Sequence, residues 1–593
     1  MLAVTALLLG VVPAFAQTGS QVLVVANANS PASEEIAVYY AGARGVPEDQ
    51  VLRLDLPVQE QIEREVYTER IEDPIRTWLT AHSAQDRILY FVLIKDVPIR
   101  VNGTAGERGS IASVDSELTL LYRRLQGTRS AAVGPVPNPY FAGDAGLLKA
   151  ERFSHRTHDI YLVARLDGYT AADVKALIAR GAAPTRAGRI VLDSRGEVGS
   201  PSPGNRWLAR AAETLRNMPD WGERVVHDTS ATPVRNEKEV LGYYSWGSND
   251  RTTGSRNTGF DFAPGVLAAL FVSTDARTFA EPPETWTVNT RPFRGSHQSL
   301  AADLIREGVT GVAGHVAEPY LSAAIRPDVL FPAYVSGFNL IEAFYLAMPS
   351  LSWQTVIVGD PLCAPFRADG LTEADLDPPI DTVTGLPQFL SERRVALLTA
   401  TGLDKDAAAW MARSDVLFGR GDTAGAREAL ERVTSLAPAF TPAHMALAYE
   451  HEKAGEWDLA IERYRQVIAQ LPNDAMALNN LAYTLAARKE NPADALPFAR
   501  RAYAASSKDA AIIDTLAWVY HLLGQDLDAE PLIVTAATLA PGNAEVQLHA
   551  AIILAARAKR DAANAALDRA LRIDPALADS SDVAAVRERL KVQ

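Results

Sequence analysis

A spacing of 34 residues, repeated along the last third of the chain, is the strongest constraint on what the chain can fold into. Pro438 and Pro472 stand one period apart, as do Pro541 and Pro575 further on. Ser507 takes the proline's place between these pairs, and one residue is inserted near Asn491 to Ala495. Small residues recur between the marks. The clearest unit carries Leu447-Ala448, Gly455, Trp457, Ala460 and Tyr464. Leu481-Ala482, then Leu516-Ala517 with Gly524 and Ala529, then Ala550 continue the series, and an earlier unit carries Gly421 and Ala426. Small side chains at fixed offsets let two helices cross closely, and a proline ends the second helix. The period predicts about five stacked helix pairs over 406–575, each burying its apolar face on its neighbours, with 576–593 as a terminal cap.

These offsets resemble those of the tetratricopeptide repeat. The resemblance implies a concave groove for an extended segment of another protein, so a protein partner is expected.

Ahead of the repeats, short apolar runs alternate with helical patterns. Strands are expected at Gln21–Ala26, Val51–Leu56, Arg87–Val97, Ile160–Ala164, Arg189–Leu192, Arg224–Val226, Val240–Tyr244, Leu267–Val272, Gly311–Gly314 and Thr355–Val358. Helices are expected from Ser33 to Gly45 and at Ala171–Arg180, Trp207–Met218 and Leu300–Glu307. Near-continuous apolar strands between helices predict an α/β domain: a mostly parallel sheet covered by helices on both faces. It is expected over 20–368, with a division into two subdomains near residue 150 as one arrangement. The acids and prolines of 369–405 read as a linker or docking segment.

The first residues are expected to be removed. Leu2 to Ala16 is an apolar run ending in Ala14-Phe15-Ala16, which fits a signal peptide over 1–16 and a mature start at Gln17. An exported protein, periplasmic or secreted, is the expectation, with no membrane span after cleavage. A net charge of −14 argues against a nucleic-acid partner. The single cysteine, Cys363, permits neither an internal disulfide nor a cysteine-type zinc site.

Ligands of parallel sheets sit beyond the carboxyl ends of the strands. Those ends carry Lys95-Asp96, Asp193-Ser194-Arg195, Trp246 with Ser248-Asn249-Asp250, Ser273-Thr274-Asp275, His315 to Glu318, and Asp360. Three chemistries are open to them. A hydrolase would use Ser273 or Thr274 as nucleophile and His315 as base, oriented by Asp250, Asp275 or Glu318. Asp250, Asp275, Glu318 and Asp360 are hard oxygen ligands that would hold Ca²⁺ if they met at one edge, and Trp246 would stack on a sugar. No cofactor is otherwise expected. As a plain binding cleft, Trp246, Ser248, Asn249, Asp250, Ser273, Thr274, Asp275, His315 and Glu318 would gather there, with Trp246 as anchor.

The stretches Tyr243 to Asp250, Val358 to Pro365 and Val24 to Ser30 resemble those of a family of exported bacterial proteins. A more distant resemblance is to gingipain-type cysteine peptidases, whose fold is caspase-like. It rests on Ile160 to Leu166, Leu300 to Gly314 and Gly359-Asp360-Pro361. In those peptidases a His-Gly pair ends one strand and the nucleophilic Cys ends the next. Here the two positions read Trp246-Gly247 and Ser273-Thr274-Asp275, so the dyad is missing. An indole N–H donates and cannot act as a base. The resemblance therefore implies the fold of a peptidase without its cysteine mechanism, joined to a partner-binding tail.

Overall fold

Ten apolar runs ahead of the repeats pair into one sheet in the computed structural model, which describes residues 17–102, 111–127, 134–143, 147–367 and 371–592. In chain order the strands are β1 (Val22–Asn27), β2 (Val51–Leu54), β3 (Tyr90–Ile94), β4 (Leu162–Leu166), β5 (Arg189–Asp193), β6 (Val225–Asp228), β7 (Val240–Ser245), β8 (Phe262–Leu270), β9 (Gly311–His315) and β10 (Thr355–Gly359). Every strand expected from the sequence becomes one of these, with ends moved by a few residues. Across the sheet the order is β6-β5-β7-β8-β9-β10-β4-β3-β1-β2. Ladders are parallel from β6 through β9, and parallel again from β4 through β2. β10 lies between these blocks. It is antiparallel to β9, with Gly311 opposite Gly359 and His315 opposite Thr355, and meets β4 at one pair, Val358 with Arg165. Arg100, beyond β3, donates to the carbonyl of Arg277, beyond β8, at 2.8 Å, so the carboxyl ends of both blocks share one edge.

The strands are buried on both faces because their residues are apolar on both faces; Leu23, Val24, Leu93, Leu162 and Val191 are fully covered. Covering a Val or Leu side chain contributes roughly 1.5–3 kcal/mol. The covering helices include α1 (Pro31–Arg44), α2 (Ala171–Ala182), α3 (Pro203–Arg216) and α4 (Ala301–Glu307). The helix expected at Ser33 starts earlier: Ser30 caps it by accepting from the Ser33 N–H, and Pro31 takes the first turn, where no N–H is needed. Gly45, at φ +63°, ends it.

The sheet is continuous across residue 150, since β3 and β4 are neighbours, so the subdomain division is not seen. The chain forms two compact units: one runs to Asp381 and includes Leu386–Arg394, and the other holds Thr382–Gly385 and Val395 onward. Part of the expected linker is helical, with Gln388–Thr399 a helix. Asp86 accepts from the N–H groups of Phe389 (2.8 Å) and Leu390 (3.3 Å) in that helix's first turn. The signal peptide expected over 1–16 lies outside the described residues.

The second unit is built of helix pairs: Lys405–Gly419 with Thr423–Leu436, Thr441–Lys453 with Trp457–Gln470, Ala475–Tyr483 with Pro492–Ala505, Ala510–Leu522 with Asp526–Leu539, and Ala544–Ala556 with Arg560–Ile573. Ser581–Val592 follows as the cap. Ala448 and Ala460 are fully buried where one pair crosses. Between the helices of each pair stands one residue in the left-handed region: Gly421, Gly455, Glu490, Gly524 and Ala558. The inserted residue is absorbed upstream of where its position was expected, in a π-helical turn at Thr484–Arg488. No helix among the described residues is long and apolar enough to cross a membrane.

Candidate functional site

β7 runs into a turn whose polar groups are turned inward. Ser245 Oγ accepts from the Gly247 N–H (3.0 Å), and Gly247 sits at φ +49°, where a Cβ would come within 2.9 Å of Val272. Trp246 Nε1 donates to Asn205 Oδ1 at 2.7 Å. The Arg195 guanidinium carbon lies 3.6 Å from the indole centroid, and the Phe271 ring lies 4.8 Å from it. With 6% of its surface exposed, Trp246 offers no ring face to a sugar and no free anchor to a partner. Ser248 Oγ accepts from the Ser299 N–H (3.0 Å), and Asn249 Nδ2 donates to the Phe271 carbonyl (2.6 Å). Asp250 closes its own turn through Thr252, at 2.9 Å to the N–H and 2.7 Å to the hydroxyl. These side chains brace the loops through bonds within the protein.

The ends of β8 and β9 differ. Thr274 is engaged elsewhere, its hydroxyl donating to Gln298 Oε1 (2.6 Å) and lying 2.9 Å from Ser296 Oγ. Ser273 is half-buried and lines, with Trp246, Asn249, His315, Pro319 and Leu321, a recess of about 90 Å³. His315 donates its backbone N–H to Asp275 Oδ1 (2.8 Å), and its Nδ1 lies 3.2 Å from Thr355 Oγ1. Burial pushes its imidazole down to about 4, so the ring is neutral near pH 7. Asp275 is fully buried, its second oxygen has no hydrogen bond among the described residues, and burial pushes its carboxyl up to about 7 against the N–H groups that favour its charge. No hydrogen bond joins the Ser273 hydroxyl to His315 among the described residues.

The expected oxygen cluster does not assemble. Glu318 is exposed. Asp360 follows β10, which runs against β9, and so leaves the sheet at the opposite edge. There it accepts from Tyr40 Oη (3.0 Å) and Arg44 Nε (2.6 Å). Among the described residues no three His, Cys, Asp or Glu side chains are placed to hold a metal ion. Cys363 is buried 3.4 Å from Tyr334 Oη, and burial pushes its thiol up to about 12. A serine–histidine contact not singled out from the sequence, Ser194 Oγ to His227 Nε2 at 3.1 Å, joins neighbouring strands β5 and β6. It bridges residues 33 apart in the chain, so no local motif marks it.

A larger cavity, about 850 Å³, lies in the second unit on the first helices of successive pairs. Tyr483, Trp518, Leu522 and Leu548 form its walls, with Arg488 and Glu545 among its charges. Tyr483 Oη donates to Glu545 Oε1 at 2.6 Å. The His549 ring stacks on Trp518, 4.0 Å between centroids and 14° between planes. The repeat period implies a groove without marking which residues line it. Their signal is there: Tyr449, Tyr483 and Trp518 stand 34 and, across the inserted residue, 35 residues apart on the first helices.

Residues 445–510 match the family model for the tetratricopeptide repeat. A TPR repeat-containing protein of Pseudomonas aeruginosa is 38% identical over 85 residues, and the chain covers 14% of that relative's length. Among solved structures, MamA from Desulfovibrio magneticus RS-1 is similar at 18% identity, over 30% of this chain and 99% of that one, with a TM-score of 0.27. YrrB, a TPR protein with an unusual peptide-binding site, is similar at 16% identity, over 32% and 96%, with a TM-score of 0.27. With the family match, the 34-residue period and the observed helix pairs, the second unit is an array of tetratricopeptide repeats.

Proposed function

We propose that this is an exported binding or scaffolding protein whose repeat groove holds a segment of another protein, while its α/β unit is a gingipain-like module without the cysteine dyad. The observation that carries the reading is the 850 Å³ groove, in which aromatic and aliphatic walls stand beside charged groups. Such a surface suits an extended segment with apolar side chains and a polar backbone. At the strand ends, Trp246 is covered and Thr274 is tied to Ser296 and Gln298, which supports a silent rather than a catalytic module. The test is cross-linking in the envelope fraction with the full chain and with Leu522→Arg. Leu522 is partly exposed in the groove, so the change blocks the surface without opening the core. Loss of the captured partner with unchanged helicity supports the reading; an unchanged partner set sinks it.

A second reading, a hydrolase, has one observation in its favour: Ser273 and a neutral His315 share one recess. In it, Thr355 holds Nδ1 and His315 Nε2 takes the proton of the Ser273 hydroxyl. A serine-directed fluorophosphonate probe decides it. Labelling that disappears in both Ser273→Ala and His315→Gln would establish the hydrolase; absence of labelling removes it.

A further inference from the structure

The strand order reverses at β1: the chain passes from β1 to β2 on one side and to β3 on the other. At such a reversal the loops diverge beyond the carboxyl ends and leave a crevice. Here the crevice is a cavity of about 440 Å³, with Val97, Ile99 and Phe279 as an apolar wall. That volume falls within the roughly 300–1,000 Å³ of small-molecule sites.

The charges that line the cavity are of two kinds. Some are already satisfied. The Lys95 ammonium donates to the Gly168 carbonyl (2.7 Å) and to Asp167 (3.3 Å), and Asp167 also takes Arg165 at 3.2 Å. Glu60 accepts from the Thr278 hydroxyl and from the Phe279 N–H (3.3 Å). Two are left over. The Asp96 carboxylate meets only the Ser30 hydroxyl among the described residues. Arg294 is exposed and has no carboxylate within ion-pair distance among them, its guanidinium lying over the Phe293 ring. The charge of Arg100, which pairs with Glu60 at 3.7 Å, opposes that of Arg294. Asp96 is also held in place: its backbone adopts φ +68°, and Asn27 Nδ2 donates to its carbonyl at 2.8 Å.

We propose that this cleft binds a small zwitterion, an amino acid or a short peptide with both ends free. The ligand's carboxylate meets the guanidinium of Arg294, whose planar fork suits it. Its ammonium meets Asp96, and its side chain lies on Val97, Ile99 and Phe279. A ligand bearing one charge would leave the other residue unmatched. This site is separate from the repeat groove and stands or falls without it.

Calorimetric titration of the full chain tests it, with leucine, the dipeptide Leu-Leu, its N-acetyl form and its C-terminal amide. Leucine or Leu-Leu is expected to bind, and each capped dipeptide to bind at least about tenfold more weakly. Arg294→Gln, at an exposed position, should abolish the preference for the free acid over the amide. Asp96→Asn should abolish the preference for the free amine over the acetyl form; asparagine tolerates the left-handed backbone, so the turn is kept. Equal binding of free and capped forms, binding untouched by both variants, or no binding of leucine or Leu-Leu at millimolar concentration would overturn the proposal.

Discussion

His549 Nδ1 lies 2.9 Å from a carboxylate oxygen of Asp514, both side chains buried on the first helices of successive repeat pairs. Burial disfavours the imidazolium, but Asp514, with Glu545 and Asp582 adding their charges, outweighs it and raises the His549 pKa above its ordinary value. A raised folded pKa means stability that is complete below the unfolded value, near 6.5, and is lost as pH rises through the folded one. His549→Gln is therefore expected to cost more stability at about pH 6 than at about pH 9. Urea denaturation of wild type and variant at both pH values checks it; an equal cost at both would rule out the coupling.

Ala448 is fully buried in the cluster that holds Ala460 and Tyr464. Ala448→Leu inserts volume where two helices touch, and overpacking of this kind costs about 1–3 kcal/mol. Thermal or chemical unfolding should show the loss. A change as mild as one on the surface would count against close crossing at this position.

Glu490 and Ala558 occupy the left-handed turn that Gly421, Gly455 and Gly524 fill in the other pairs, at φ +50° and +56°. A Cβ in this region is strained. Glu490→Gly and Ala558→Gly should each stabilise the repeats by up to about 1 kcal/mol, read as a higher denaturation midpoint. Destabilisation by either change would mean that the side chain contributes more than its backbone costs.

Trp246→Ala should act on stability, not on recognition. The indole is held by Asn205, Arg195 and Phe271, and truncating a buried Trp costs about 3–5 kcal/mol. Unfolding curves beside partner capture separate the two. Unchanged stability with lost binding would restore Trp246 as an anchor.

The ten strands and the repeat pairs were legible in the sequence because both depend on local patterns: short β-branched apolar runs and a 34-residue period. The direction of β10 was not. Thr355–Val358 is apolar like any buried strand, and nothing within it records whether its neighbour runs with or against it. That one direction removes Asp360 from the cluster expected with Asp250, Asp275 and Glu318. The role of Trp246 was hidden for a similar reason: Arg195 and Asn205 cover it from a loop and a helix that precede it by some 40 residues or more. Residue types at strand ends showed where polar groups collect, but not which were already engaged.

β10 is the last strand of the sheet to be made, yet it fills the middle. Until residues 355–359 have left the ribosome, β4 and β9 lack the strand that lies between them, and each offers open backbone to any chain nearby. Half-sheets of this kind are open to mispairing, and pairing across so much sequence is slow. The strand order of this unit therefore ties completion of the sheet to the arrival of its closing strand, and until then two inner strands stand as edges.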